Sequence, residues 1–177
     1  MLLRSEYPVK IHIIDGRKYV FTDKDFWTLA ELETHHIVMK NDIDFHTDDA
    51  TEMFGLFKKS LESLPRSQIF LIAKLNKKIV GFVGIHCSKK HGEYLGEVGI
   101  CVHPDHWGKG FGTALLKEGI ENARKKRLTK LEAETLASNI PMLRIADKVG
   151  FQLVCVRKKW ASMHKEYEDV AHLAMIL

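Results

Sequence analysis

The part of the sequence best suited to chemistry is a glycine-rich segment that joins a predicted strand to a predicted helix. Three glycines stand at alternate positions, Gly108, Gly110 and Gly112, with Lys109 between the first two. Glycines let the backbone turn its N–H groups toward a ligand, and the dipole of the following helix adds partial positive charge at the same place. The pattern therefore predicts a site for an anion such as a phosphate.

Two common nucleotide-binding loops do not match this segment. The Walker A loop GxxxxGK[ST] needs a lysine directly after its last glycine, whereas Lys109 lies between two glycines. The dinucleotide pattern GxGxxG needs a glycine three residues after Gly110, where the sequence has Thr113. A nucleotide-binding domain is therefore disfavoured, and a strand-to-helix turn without a ligand remains an alternative.

The elements that must position this segment follow from hydrophobic periodicity. A strand over 93–103 precedes it, and a helix from about Gly110 to Arg127 follows, with apolar side chains on one face. A strand, a helix and two more strands are expected at 130–136, 139–148, 151–160 and 169–177. Gly150 is expected to end the helix before it in the left-handed conformation.

Upstream of the segment, the pattern predicts a hairpin, two helices and an antiparallel pair of strands. Asp15-Gly16 is typical of a type I′ turn and would join 9–14 to 18–22. The helices are expected from an N-cap at Asp23 to about His35 and from Thr47 or Asp48 to Pro65, and the strands at 69–74 and 79–86. This order of elements predicts an α+β fold with a mixed sheet and about four helices.

Composition indicates one globular domain that spans residues 1–177. The chain is 45% hydrophobic and 28% charged, and no repeat or low-complexity stretch divides it. The net charge of +4 is too small to indicate nucleic acid but suits an anionic ligand. Apolar runs fall far short of the roughly 20 residues of a membrane-spanning helix, and no signal peptide is visible. We therefore expect a cytoplasmic protein with no nucleic-acid or membrane partner.

Cysteine and histidine usage does not indicate a metal site. Cys87, Cys101 and Cys155 are odd in number and lack CxxC spacing, which suits free thiols in a reducing cytoplasm. Two groups pair a cysteine with histidines, but neither has the four-ligand spacing of structural zinc: His86-Cys87 with His91, and Cys101-x-His103-x-x-His106. Three other histidines are expected at helix ends or in a substrate cleft: His35, His36 and His46.

The glycine segment resembles the cofactor loop of the GNAT superfamily of acetyl-CoA-dependent N-acetyltransferases. That loop has Arg or Gln, two residues, and then Gly-x-Gly or Gly-x-Ala. The match here is 107–112, with Trp107 at the first position, as in relatives of the ribosomal-protein N-terminal acetyltransferases. A second match, over 139–151, is similar to the family pattern Asn-x-x-Ala-x-x-Leu-Tyr-x-Lys-x-Gly-Phe. The resemblance extends over roughly 69–177.

The resemblance implies a GNAT-like sheet, mostly antiparallel, whose central strands splay apart around the cofactor. It divides the domain into an N-terminal hairpin (1–22), acceptor-side helices (23–66) and a cofactor-binding core (67–177). It implies that the pantetheine arm pairs with the backbone of Ile100, Cys101 and Val102 and bonds to Asn139. It further implies that six N–H groups hold the pyrophosphate, those of Gly108, Lys109, Gly110, Phe111, Gly112 and Thr113.

The activity implied is transfer of the acetyl group of acetyl-CoA to a primary amine by direct attack in a ternary complex, leaving coenzyme A. The amine must lose a proton. The resemblance to the phosphinothricin acetyltransferase-like branch implies Glu97 as the base, with Glu132 and Glu134 in reserve. Many family members carry a tyrosine that protonates the leaving thiolate where this sequence has Ala146. Tyr167 or a water could replace it, or the thiolate could leave unaided.

Several alternatives stay open at this stage. A non-catalytic acyl-CoA-binding regulatory module would also account for the two motifs, given Ala146. The acceptor, a small-molecule or peptide amine, would lie against 23–66 and the final hairpin, and the sequence does not decide whether the chain is a homodimer. Acidic residues there could attract a cation or serve helix N-termini: Asp42, Asp44, Asp48 and Asp49. Basic groups at 125–127 and 157–159 are expected on solvated faces or at helix ends, with the 3′-phosphate of coenzyme A as the alternative.

Overall fold

The computed structural model of the protein describes residues 11–43, 47–90, 93–163 and 166–177. Within these residues seven strands form one sheet: β1 (His12–Asp15), β2 (Ile69–Leu75), β3 (Lys78–Lys90), β4 (Glu93–Val102), β5 (Lys130–Leu136), β6 (Gln152–Met163) and β7 (Glu166–Ile176). Five helices flank the sheet in the same ranges: α1 (Asp23–Glu33), α2 (His36–Met39), α3 (Ala50–Glu62), α4 (Phe111–Lys125) and α5 (Ile140–Val149). None of the helices described has the length and apolar character needed to cross a bilayer.

The strands lie in the order β1-β2-β3-β4-β5-β7-β6. Only β4 and β5 pair in parallel, and every other neighbouring pair within the described ranges is antiparallel. The predicted α+β fold with a mixed, mostly antiparallel sheet is therefore confirmed. α2, a single turn of four residues, is the helix that the sequence pattern did not predict.

Each face of the sheet carries its own apolar core. On the α4 face, α4 and α5 bury the side chains of alternate strand residues such as Val83, Leu131 and Leu173. On the α1 face, α1 buries Leu29 and Leu32 against strand residues of the opposite parity, with α3 packed beside them. Successive side chains of a strand point to opposite faces, so the face on which any β4 or β5 side chain lies can be read from these cores.

Local chemistry sets the ends of the helices. Thr22 caps α1 in a capping box with Asp25, one residue before the predicted cap at Asp23. The carboxylate of Asp49 accepts the Thr51 and Glu52 N–H groups at the start of α3. Gly150 ends α5 at φ 105°, in the left-handed conformation predicted for it.

The predicted hairpin at Asp15-Gly16 is wrong. Residues 16–18 form one turn of 3₁₀ helix, in which the Asp15 carboxylate accepts the N–H of Arg17, and β1 pairs with β2 instead. Gly16 is needed for space, because a Cβ there would lie 2.9 Å from a ring carbon of Phe70. The type I′ geometry, with positive φ at both central residues, occurs at Asn76 and Lys77 between β2 and β3.

The central strands part soon after they meet. β5 pairs with β4 at only three positions, Leu95 to Lys130, Gly96 to Leu131 and Glu97 to Glu132. Beyond Glu97, residues 98–102 remain paired with β3, while 133–136 remain paired with β7. The predicted central splay is thus present, and we call the opening between 98–102 and 133–136 the splay gap.

The packing of β3 against the end of β4 gives a first prediction. A Cβ at Gly81 would lie 2.7 Å from the carbonyl oxygen of Cys101, whereas a Cβ at Gly55, within α3, would contact nothing within 4 Å. We expect Gly81→Ala to lower the free energy of unfolding by about 1–3 kcal/mol. Gly55→Ala is the control and should raise it by roughly 0.5–1 kcal/mol. Urea unfolding measures both, and an unchanged Gly81→Ala variant would contradict this packing.

Candidate functional site

The glycine segment forms a cradle of unpaired backbone donors. Gly108 and Gly110 take φ values of 70° and 85°, and α4 begins directly after Gly110 without a side-chain cap. The N–H groups of 108–113 donate to no carbonyl or side chain in the described part of the chain. A Cβ at Gly108 or Gly110 would contact nothing within 4 Å, so the need for glycine at these two positions comes from the positive φ and not from lack of space. A helix N-terminus with free N–H groups is suited to an anion such as a pyrophosphate.

Two long side chains hold this cradle in place. The indole Nε1 of Trp107 donates to the carbonyl oxygen of Val102 at 2.6 Å, and Nζ of Lys109 donates to the carbonyl oxygen of Asp105 at 2.7 Å. The first bond fastens the cradle to the last residue of β4. Trp107 therefore has a structural role at the position where the family motif has Arg or Gln.

The backbone of β4 presents alternate residues to the splay gap. The N–H of His103 donates to Val80 in β3 at 2.9 Å, while the carbonyl of Tyr94 accepts from Thr129 on the β5 side at 2.8 Å. By this alternation, the backbone groups of Ile100 and Val102 face the gap and those of Cys101 face β3. The structure therefore brings Ile100 and Val102 to the place predicted for the pantetheine arm, but not Cys101.

Asn139 lies across the gap from β4, where it joins β5 to α5. Its Oδ1 accepts the N–H of Met142 at 3.3 Å, and its Nδ2 donates to the hydroxyl of Thr135 at 3.1 Å. A carboxamide has two donor hydrogens and two acceptor lone pairs. One of each is used here within the described residues, and the other of each is available to a ligand.

Cys101 does not carry nucleophilic chemistry. Its side chain is 6% exposed and lies under α1, with Sγ 4.0 Å from the carbonyl oxygen of Leu32. Burial raises the pKa of the Cys101 thiol well above its ordinary value, and the charges of Glu33 and Asp42 add to the shift. The thiol is therefore held neutral, whereas a nucleophilic cysteine needs its thiolate.

Three predicted carboxylates lie on the α1 face of β4 and β5, beside the splay gap. Glu97 shares the face of Cys101, and Glu132 and Glu134 lie opposite in parity to Leu131 of the α4 core. Glu97 and Glu132 are register partners in the last β4–β5 pair before the strands part. The structure thus brings together the predicted base and both of its reserves.

A polar group on β5, β6 and β7 extends this row, and the sequence analysis missed it. His172 of β7 places Nδ1 3.0 Å from Glu134 and Nε2 3.9 Å from Glu132. Nζ of Lys130 lies 2.6 Å from Glu132, and the guanidinium of Arg157 pairs with Glu134. We call these five residues the β5–β7 polar group, and their side chains keep between 22% and 32% of their exposure.

Arg157 is therefore not on a solvated face. The sequence analysis had expected one there because Arg157 stands in a run of basic residues. Its guanidinium carbon also lies 4.4 Å from the ring centre of Trp160. Two other basic residues of the clusters make contacts of their own: Lys158 pairs with Asp169 at 2.7 Å, and Lys126 donates to the carbonyl of Arg66. Alternating charge at 130, 132 and 134 was the available sequence signal for this polar group.

Glu33 is a second residue that the sequence analysis missed. It is half-buried at the last position of α1, and burial, with the charge of Asp42 added, raises its pKa to about 7. A carboxylate in the last turn of a helix opposes the helix dipole, and that mismatch was the signal available in the sequence.

The acids that the sequence analysis did name beside the acceptor lie in different places. Apart from Asp42, Asp49 caps α3, Asp48 is exposed and Asp44 lies outside the described residues.

Four histidines form a row from the start of α2 to the residues just before the cradle. Ring centres lie 4.7 Å apart for His35 and His36, 5.5 Å for His35 and His103, and 5.9 Å for His103 and His106. Burial lowers the pKa of His35 and of His106, and the charge of His103 lowers both further. No group of three or more metal-ligating side chains is arranged around a common point in the described ranges. His46 lies outside them.

Ala146, which stands where many family members carry the tyrosine acid, and Tyr167, the side chain considered as its replacement, lie in contrasting surroundings. Ala146 is 0% exposed in the core of the α4 face, and Tyr167 is 69% exposed near the end of the β6–β7 hairpin. The described contacts of Tyr167 do not bring its hydroxyl to the splay gap.

Comparisons with known proteins agree with this geometry. Residues 23–151 match the model of the acetyltransferase (GNAT) family. An L-amino acid N-acetyltransferase from Escherichia coli is 27% identical over 108 residues, which cover 60% of this chain and 67% of that protein. An acetyltransferase from Salmonella typhimurium, solved with its cofactor acetyl-CoA, has a TM-score of 0.77 at 19% identity, over 95% of this chain and 94% of that chain. Spermidine N-acetyltransferase from Vibrio cholerae, in complex with CoA and spermine, has a TM-score of 0.77 at 15% identity, over 94% of this chain and 95% of that chain. At these identities the two solved structures show a shared fold.

The raised pKa of Glu33 predicts an increase in stability when its charge is removed. The folded pKa is about 7, and an unfolded glutamate titrates near 4.3. The fold therefore disfavours the carboxylate, and this destabilisation is absent below pH of about 4 and complete above about 8. We expect Glu33→Gln to raise the free energy of unfolding by about 1–3 kcal/mol at alkaline pH and to leave it unchanged at acidic pH. Urea titrations at both ends of this range measure the difference. Glu31→Gln, at an exposed site on α1, is the control, and a gain that does not depend on pH would contradict the assignment.

Proposed function

Because the chain belongs to the acetyltransferase (GNAT) family and is an acetyl-CoA-dependent N-acetyltransferase, we propose that it acetylates a cationic primary amine by direct attack in a ternary complex. The observation that carries this proposal is the splay gap, which opens between a cradle of N–H donors and a row of carboxylates. An anionic donor suits the first side and a cationic acceptor suits the second. The gap is the place where the two would meet.

The donor side fits coenzyme A through backbone groups. The N–H groups of 108–113 would hold the pyrophosphate, as they lie at the start of α4 and donate to no other described group. The backbone groups of Ile100 and the N–H of Val102 would pair with the pantetheine arm, since the Val102 carbonyl is engaged by Trp107. Asn139 would use its remaining donor and acceptor on the same arm. Acetyl-CoA supplies the acetyl group as a thioester, which an amine can attack without further activation.

Glu97 is the proposed base for the amine. It lies at the last β4–β5 pair, on the α1 face, where an acceptor entering from the helical side would reach the gap. Direct attack is favoured because the thiol nearest the gap, that of Cys101, is buried and neutral. No covalent acyl-enzyme is needed.

The charge of the α1 face supports a cationic acceptor. The three carboxylates of Glu97, Glu132 and Glu134 outnumber the two cations, Lys130 and Arg157, that pair with the last two. On α1, Glu33 lies close enough to Asp42 for the two charges to interact. The bound spermine of the Vibrio cholerae neighbour is an acceptor of this chemical class. A small polyamine and the N-terminal amine of a peptide both carry the required group.

The structure also gives an observation in favour of a second function. Ala146 places no hydroxyl at the position of the family's tyrosine. A non-catalytic acyl-CoA-binding regulatory module would need no such hydroxyl. We favour catalysis because a thiolate, with an ordinary thiol pKa near 8.5, leaves readily without an acid. Amine-dependent release of thiol distinguishes the two functions.

Cofactor binding is tested by thermal unfolding. Acetyl-CoA at about 100 times its dissociation constant should stabilise the chain by roughly 2.7 kcal/mol, a rise of several degrees in Tm, while ATP and NAD should not. Gly110→Ala puts a side chain on a residue at φ 85°, a conformation that L residues rarely adopt, so it should disturb the cradle and reduce the shift caused by acetyl-CoA. Gly55→Ala, which lies away from the cradle, should keep the full shift. An equal shift in both variants would contradict pyrophosphate binding at 108–113.

The role of Glu97 is tested by thiol release with a panel of amines. Glu97→Gln should lower amine-dependent kcat by about 10²–10⁴-fold, the usual contribution of a general base, while the shift with acetyl-CoA is unchanged. Glu121→Gln, at an exposed site on α4, is the control and should retain wild-type activity. Full activity of Glu97→Gln would remove Glu97 from the mechanism. A wild-type protein that binds acetyl-CoA but releases no thiol with any amine would favour the regulatory module.

A further inference from the structure

His172 occupies an unusual position within the β5–β7 polar group. Its two ring nitrogens face two different carboxylates, with Nδ1 3.0 Å from Glu134 and Nε2 3.9 Å from Glu132. Glu132 is in turn the register partner of Glu97. A line of titratable groups therefore runs from the mouth of the splay gap across β5 to β7.

The surrounding charges show that the ring is not needed to neutralise these carboxylates. Lys130 contacts Glu132 at 2.6 Å, and Arg157 pairs with Glu134 from the β6 side. Each carboxylate thus has a permanent cation of its own, and the imidazole between them contributes something other than charge balance. Cys155, the register partner of His172 on β6, is exposed.

The two distances fit a ring that is ready to accept a proton. A neutral imidazole donates from one nitrogen and accepts at the other. With the hydrogen on Nδ1, the short contact to Glu134 is a hydrogen bond, and the lone pair of Nε2 faces Glu132 beyond hydrogen-bond range. A proton on Glu132 would change that second contact from repulsive to attractive, and the ring could then take it at Nε2 and release the other from Nδ1 to Glu134. The ring is then left with its hydrogen on Nε2, and exchange with water at this 22% exposed side chain returns the hydrogen to Nδ1 before the next turnover.

The proposed reaction requires a route of this kind. An acceptor ammonium has three hydrogens on nitrogen and the amide product has one, so two protons leave as the C–N bond forms and the C–S bond breaks. One of the two ends on the sulfur of coenzyme A, and the other must reach solvent. Glu97 receives a proton first, and its turnover depends on passing that proton on.

We propose that His172 is a positioning residue that relays this proton from Glu132 to Glu134, and so restores Glu97 for the next turnover. This inference rests on the proposed function. Arg157, stacked on Trp160 at 4.4 Å, holds Glu134 at the outer end of the relay. Glu134 is 32% exposed in its side chain and can release the proton to water.

Two substitutions separate a relay from a structural contact. His172→Asn keeps a donor toward Glu134 but cannot carry a proton, and His172→Ala removes the ring and leaves space for a small molecule. Both should lower kcat for the best amine by on the order of 10–100-fold, less than loss of a direct base, with KM for the amine nearly unchanged. Added imidazole should restore part of kcat to His172→Ala. His12→Ala, at an exposed site on β1, is the matched control and should keep wild-type kcat with no response to imidazole.

The outcomes distinguish a failure of the relay from a failure of the proposed function. The shift in Tm with acetyl-CoA shows that each variant is folded, and if His172→Ala does not fold, His172→Asn decides alone through kcat. Wild-type kcat in His172→Asn, or a low kcat in His172→Ala that imidazole does not raise, would overturn the relay and leave the acetyltransferase assignment intact. A wild-type protein with no amine-dependent thiol release would overturn both.

Discussion

The early parting of β4 from β5 is the constraint on which the rest of the structure depends. Parallel pairing lasts for three residue pairs and ends at Glu97 and Glu132. Each strand then keeps only its outer neighbour, β3 on one side and β7 on the other. The sheet stays continuous around the opening because these outer ladders are long and antiparallel. The backbone groups that face the opening have no strand partner within the described residues, so the opening costs stability unless other groups or a ligand bind them.

The opening separates two kinds of recognition. On the α4 side, the binding groups are backbone N–H donors whose direction is set by two left-handed glycines and the start of a helix. On the α1 side, they are charged side chains from strands that lie far apart in sequence. The partial charge is positive on the first side, and on the second side the carboxylates of Glu97, Glu132 and Glu134 outnumber the cations of Lys130 and Arg157. On the function proposed above, a donor with phosphates and an acceptor with an ammonium group would therefore approach from opposite faces of one sheet.

This division explains which parts of the site could be predicted from the sequence. The conformations of the cradle and of Gly150 depend on residue types within a few positions of each other, so they can be predicted from a short stretch of sequence. The β5–β7 polar group depends on β7 lying between β5 and β6, a strand order that no short window contains. Glu97 was proposed as the base only through a family resemblance. The Asp15-Gly16 hairpin failed because pairing of β1 with β2 overrode a local turn preference.

The backbone nature of the cradle also bears on how such proteins diverge. An N–H group is the same in every residue except proline, so a substitution at 113 removes no donor unless it is to proline, provided that 108 and 110 keep their conformation. Lys109 and Phe111 are constrained instead by what their side chains do, the first by its bond to Asp105 and the second by its place in the core. Selection then acts on the path of the chain more than on its residues. Two solved structures at 15–19% identity share the fold of this chain although most of their residues differ. The side chains across the gap remain free to be exchanged as the acceptor changes.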